Sequence, residues 1–127
     1  MDAPGRTDMK ILAGLFAGLV AILHIWFMIA EMVFWNHPIG YRMFGTTEEF
    51  AAQTAFLASN QGLYNGFLVA GLLWGIFAGR RDVLWFFLTC VIVAGIWGAI
   101  TVSPTIFYVQ GIPAIIALLF SMLAKRA

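Results

Sequence analysis

His24 and Glu31 stand seven residues apart in an otherwise apolar stretch. In a helix that is close to two full turns, so the imidazole and the carboxyl share one face, about 10 Å apart along the axis. Such a pair can divide proton donation and proton abstraction between its members. A second polar run, Asn60, Gln61, Tyr64 and Asn65, is dense for an apolar segment. Asn60 and Tyr64 form one i,i+4 stripe, Gln61 and Asn65 the adjacent one. Amides so placed can orient a substrate oxygen or stabilise charge on it. Gln110 follows Tyr108 and precedes Gly111, with Pro113 three residues on. Pro113 has no N–H for the Val109 carbonyl, which predicts a kink and a free acceptor beside Gln110. Trp97 shares a stripe with Cys90 and Thr101. The candidate acid/base pair is therefore Glu31 and His24. The candidate substrate-binding residues are Asn60, Gln61, Tyr64, Asn65, Trp97 and Gln110.

The elements that must position these groups follow from charge spacing. The 127 residues are 62% apolar and carry seven basic and six acidic side chains, too few to cover a soluble domain of this size. The charges cluster at Arg6 to Lys10, Arg42 to Glu49, Arg80 to Asp82 and Lys125 to Arg126. Each run between clusters reaches the roughly 20 residues that a helix needs to span a bilayer. The pattern predicts an all-α integral membrane four-helix bundle forming one domain over 1–127, with helices at roughly 9–35, 47–79, 83–102 and 104–124. The first run is too long for a signal core, contains Glu31 and lacks a small-x-small cleavage site, so it is expected to stay as a membrane helix.

Boundaries come from turn chemistry. Asn36-His37-Pro38-Ile39-Gly40 reads as a turn opening the longest loop, which ends near Gly45. Thr46, three residues before Glu49, reads as a capping box. Ser103-Pro104 reads as an N-cap followed by proline at the first helical position. Arg6, Lys10, Arg80, Arg81, Lys125 and Arg126 fall at ends that an even-numbered bundle places on one side, with Arg42 on the other. The positive-inside bias then puts both termini and the central turn in the cytoplasm of a cell with this chain in its inner membrane.

Polar residues in a span cost free energy unless partnered. Counting from Lys10, Arg80 and Lys125 at 1.5 Å per residue puts His24, Asn65 and Gln110 at about 21–23 Å, and Glu31 and Asn60 at about 30 Å. Two layers are predicted in the outer half: His24, Tyr64, Asn65, Gln110 and Trp97, then Glu31, Asn60, Gln61 and Thr101. Singly, Glu31 reaching the headgroups or His24 as a neutral core imidazole is the simpler account. Asn65 and Gln110 can serve as interhelical glue. Several groups at matched depth point instead to a common site.

Small residues recur every fourth position at Gly14 and Gly18, Gly62 and Gly66, and Gly71, Gly75 and Gly79, which predicts close intrachain helix approach. Trp35, Tyr41, Trp85 and Tyr108 suit the interfaces, and Trp26, Trp74 and Trp97 are expected as packing residues. Cys90 is the sole cysteine, so no internal disulfide forms. With no basic stripe, phosphate loop or CxxC pair, no nucleic-acid partner and no cofactor are expected. His24, Glu31 and His37 lack metal-ligand spacing and His24 lacks haem spacing, so no metal is assigned.

The pattern of His24, six residues, then Glu31-Met32-Val33-Phe34-Trp35, together with Asn60-Gln61-Gly62-Leu63-Tyr64-Asn65-Gly66, resembles the small bacterial membrane proteins of domain of unknown function family 1304. The resemblance covers nearly the whole chain and implies a four-helix membrane protein. It implies no activity.

The residues themselves predict a polar site in the outer half of the bundle that binds a small, largely apolar molecule entering from lipid or from outside, in the manner of an acid/base isomerase or hydratase. Membrane lipid is the expected surroundings, and a homo-oligomer is compatible. A small-molecule transporter is an alternative, although the chain has no internal inverted repeat for alternating access. A non-catalytic membrane assembly subunit, whose polar residues only lock the helices, is another.

Overall fold

The computed structural model describes residues 4–126 and is all-α, with no strand among the described residues. Residues 1–3 and 127 of the expected domain lie outside them. Helix α1 (Pro4–Ile29) runs directly into a π-helical turn, Ala30–Phe34. Three stretches are long and apolar enough to cross a membrane: Pro4–Phe34, Arg81–Thr101 and Pro104–Lys125. Helix α3 (Glu48–Phe77) has 30 residues, about 45 Å of helix, but the amides between Asn60 and Asn65 make it less apolar than the others.

The segment expected as a loop contains a short helix, α2 (Pro38–Met43). Its cap is His37, whose Nδ1 accepts the Ile39 N–H at 3.2 Å, and Pro38 occupies the first helical position, where no N–H is needed. Helix α3 begins one residue later than the capping-box reading implies. Thr47 Oγ1 accepts the Phe50 N–H at 3.1 Å, while Thr46 Oγ1 donates back to the Tyr41 carbonyl at 3.5 Å. With Thr47 as cap, the residue three positions on is Phe50, so Glu49 closes no box. Gly79, at φ +62°, ends the helix, and the Arg80 N–H returns 3.0 Å to the Gly75 carbonyl.

Helix α4 (Arg81–Thr101) follows, then α5 (Pro104–Ile106), whose cap is Ser103 Oγ accepting the Thr105 N–H at 3.4 Å, as its sequence suggests. A second π turn, Phe107–Gly111, leads into α6 (Ile112–Arg126). Pro113 stands two residues after this turn, and the expected break beside Gln110 takes the form of a one-residue slip, with the Ile112 N–H on the Phe107 carbonyl.

The chain forms two compact units: Met1–Ala21 with Ala70–Ala127, and Ile22–Val69. In the first, α4 packs against α6 and the second π turn. Leu72, Leu88, Val91, Ala114 and Ala117 are fully buried. Trp85 Nε1 donates to Ser121 Oγ at 2.8 Å, and Lys125 Nζ sits 5.4 Å from the Trp85 ring centroid. Glycines allow the closest approaches: a Cβ on Gly95 would lie 3.2 Å from Gly111 Cα, and one on Gly75 would lie 2.8 Å from Leu84 Cα. In the second unit, the end of α1 meets α3 where Gly62 and Gly66 face Met28 and Met32. Trp35 Nε1 donates to Thr54 Oγ1 at 3.0 Å.

The size distribution of side chains is the inverse of that in a water-soluble bundle. Among the described residues, nine of the sixteen buried apolar side chains are alanine, while Phe77, Ile100 and Phe56 are 82%, 71% and 65% exposed. A water-soluble bundle buries its large residues; helices that meet in lipid place small ones at the contacts and leave large ones to the hydrocarbon. Trp26, Trp74 and Trp97 depart from their expected packing role: all three are exposed. Gly14 and Gly18 also depart from expectation. A Cβ on either would meet nothing within 4 Å, so no helix packs closely there.

Candidate functional site

Glu31 occupies the second position of the first π turn and is buried, 6% exposed. A π turn inserts one extra residue per turn and shifts the faces that follow it, a device that recurs at functional sites. Across from it, α3 presents Gly62, where a Cβ would come within 3.2 Å of Glu31 Cβ and 2.6 Å of Met32 Cγ. That close approach brings two amides within reach. Gln61 Nε2 donates to Glu31 Oε1 at 3.2 Å, and Asn65 Nδ2 donates to Oε2 at 2.9 Å. Gln61 and Asn65 are one turn apart, so the carboxyl lies along α3 with each oxygen on its own donor.

The two amides keep their carbonyl oxygens and one N–H each, and each carboxyl oxygen retains a further lone pair. The three side chains can therefore donate to a hydroxyl or carbonyl oxygen and accept from a hydroxyl. Gln61 is exposed and Asn65 half-buried, so the cluster opens at the surface of its unit.

The other candidates divide. His24 is buried on the same side of α1, with its ring edge-to-face on Phe27 at 5.4 Å between centroids. Asn60 is turned away: its Nδ2 donates to the Phe56 carbonyl of its own helix at 2.8 Å, and the side chain is exposed. Tyr64 is 66% exposed and stands edge-on to Phe67. Helical arithmetic explains both. At 100° per residue Asn60 and Tyr64 lie about 160° from Gly62, on the opposite face, while Gln61 and Asn65 lie about 100° and 60° from it. In the other unit, Trp97 is 66% exposed beside Phe86, Thr89, Cys90 and Val93, and Gln110 is half-buried in the second π turn near Gly95. Thr101 bonds its own helix through the Trp97 carbonyl at 2.7 Å.

The expected split into two layers is not how the second unit is built. Asn65 and Gln61, assigned to different depths, hold the same carboxyl, because a glutamate side chain bridges one helical turn. The Trp35–Thr54 bond and the capping role of His37 escaped the sequence reading. The first could have been found from a tryptophan and a hydroxyl facing each other near two helix ends; the second from His37 standing directly before proline.

Fold and site together define an all-α chain with helices long enough to cross a membrane and a buried carboxyl held by amides. The chain belongs to the family described as protein of unknown function (DUF1304), which matches residues 18–122. It is 30% identical over 119 residues to the uncharacterized protein YpaA of Lactococcus lactis subsp. lactis, covering 89% of this chain and 98% of that protein. No solved structure matches it.

Proposed function

We propose that the protein is a single-domain four-helix bundle of the inner membrane, with both termini in the cytoplasm, that binds a small, largely apolar molecule through Glu31, Gln61 and Asn65. Glu31 exchanges a proton with the polar end of that molecule, and His24, two turns along the same face, is the second proton-handling group. Gln61 and Asn65 orient the reacting oxygen. Isomerisation or hydration suits this set, because both need a proton placed and removed at fixed points.

The observation that carries the reading is the seat of Glu31: a carboxyl in a lipid-spanning helix with an amide donor on each oxygen. A helix contact needs no carboxyl, and burying one is among the most expensive choices a membrane segment can make. The distribution of Arg6, Lys10, Arg80, Arg81, Lys125 and Arg126 against Arg42 supports the orientation.

A photoreactive medium-chain alcohol bearing an alkyl diazirine tests the site in protein reconstituted into nanodiscs. Labelling is expected on the peptides containing Glu31 and Gln61 to Asn65, suppressed by excess unlabelled alcohol and by Glu31→Gln with Asn65→Leu. Labelling spread over Phe77, Ile100 and the other lipid-facing residues, without suppression, refutes the site.

A further inference from the structure

The two oxygens of Glu31 are held unequally. Oε2 accepts from Asn65 Nδ2 at 2.9 Å, and that donor is half-buried. Its neighbour Gly66 is packed on Met28, where a Cβ would lie 2.9 Å from the sulfur. Oε1 accepts from Gln61 Nε2 at 3.2 Å, the long end of the range for N–H···O bonds, and that donor is exposed. Gln61 is also longer than Asn65 by one methylene, so its amide can swing aside while Gly62 keeps α3 seated on Met32 and Glu31. Swinging costs little, because the bond is exposed and long and the freed side chain regains rotamers. Leu57, one turn from Gln61 and 58% exposed, continues that side of α3 as apolar surface.

We infer that the site selects alcohols, the ligand's hydroxyl entering between Glu31 Oε1 and Gln61 Nε2. A group inserted into an existing hydrogen bond must give the amide an acceptor and the carboxyl a donor at once, or leave one of them without a partner. A hydroxyl supplies both. A ketone or an ether only accepts, and an ammonium only donates. Gln61 then touches the ligand, whereas Asn65 is a positioning residue that acts through Glu31 by holding Oε2. The inference rests on the reading of Glu31 as a ligand site and names the chemical class that the site takes.

Competition against the diazirine alcohol in nanodiscs tests it, with 1-octanol, heptyl methyl ether, 2-octanone and octylamine compared at equal bilayer concentration. A hydrogen bond to a carboxylate is worth about tenfold in affinity, so octanol is expected to compete about tenfold better than the ether or the ketone. Glu31→Met should make octanol and the ether equal. Gln61→Met should weaken both alike, since both accept from its amide. Asn65→Met should lower the ratio of octanol to ether without changing competition by the ether, which loss of packing alone would not do. If a variant does not fold, the ranking in the unsubstituted protein decides. Equal competition by octanol and the ether, stronger competition by the ketone or octylamine, or a ratio that survives Glu31→Met would each overturn the inference and leave the site standing. No competition by any of these compounds would overturn the site and the inference together.

Discussion

Removing Asn65 and Glu31 separately and together measures whether they act as a pair. Asn65 Nδ2 lies 2.9 Å from Glu31 Oε2, from a half-buried donor to a buried acceptor. Hydrogen bonds between membrane helices average about 0.6 kcal/mol and reach about 1.7 kcal/mol; those to a carboxylate stand at the upper end. The expected coupling in a cycle of Glu31→Met and Asn65→Leu is therefore about 1–1.5 kcal/mol. For Glu31→Met with Gln61→Met it should be smaller, about 0.5 kcal/mol, because that bond is 3.2 Å long and its donor is exposed. Asn60→Leu supplies the control: its amide bonds its own helix, so it should show no coupling to Glu31. Detergent-induced unfolding in mixed dodecyl maltoside and dodecyl sulfate micelles, followed by tryptophan fluorescence, gives each free energy. Additivity of Glu31 and Asn65 within about 0.3 kcal/mol, or a Gln61 coupling larger than that of Asn65, would refute the geometry.

Three further perturbations probe other parts of the chain by the same unfolding assay. Gly75→Ala should destabilise by about 1–3 kcal/mol, because the new Cβ meets the Leu84 backbone 2.8 Å away, whereas Gly14→Ala, with nothing within 4 Å, should be neutral or stabilising. Thr47→Ala should cost about 1 kcal/mol through loss of the α3 cap, and Thr46→Ala clearly less, reversing the order a capping box at Thr46 implies. Ser121→Ala should cost about 1 kcal/mol by leaving the Trp85 indole N–H without its acceptor, and should shift the Trp85 emission.

The helices were legible because charge is so sparse here that each cluster marks an end, and the Ser103 cap sits where its hydroxyl and Pro104 suggest. Helix α2 was not legible, since Pro38 and Gly40 signal a turn as readily as a first helical turn. Gly40 is there for a different reason: a Cβ would collide with the Phe34 carbonyl. The π turns leave no trace in composition, because a one-residue slip changes no propensity. Of the site, Gln61 and Asn65 could be singled out from Asn60 and Tyr64 once Gly62 and Gly66 are taken to mark the packed face. Counting depth alone separated Asn65 from Glu31, because it measures Cα positions and ignores the reach of a long side chain.

Reaction of the bilayer-reconstituted protein with dicyclohexylcarbodiimide, an apolar reagent for carboxyl groups, asks whether Glu31 meets molecules arriving from the hydrocarbon. Peptide mass spectrometry should find the adduct on Glu31 in preference to Asp8, Glu48, Glu49 and Asp82, with medium-chain alcohols slowing its formation and a water-soluble carbodiimide reversing the preference. An unreactive Glu31, or one modified equally fast with and without the alcohol, would contradict a small-molecule site at that carboxyl.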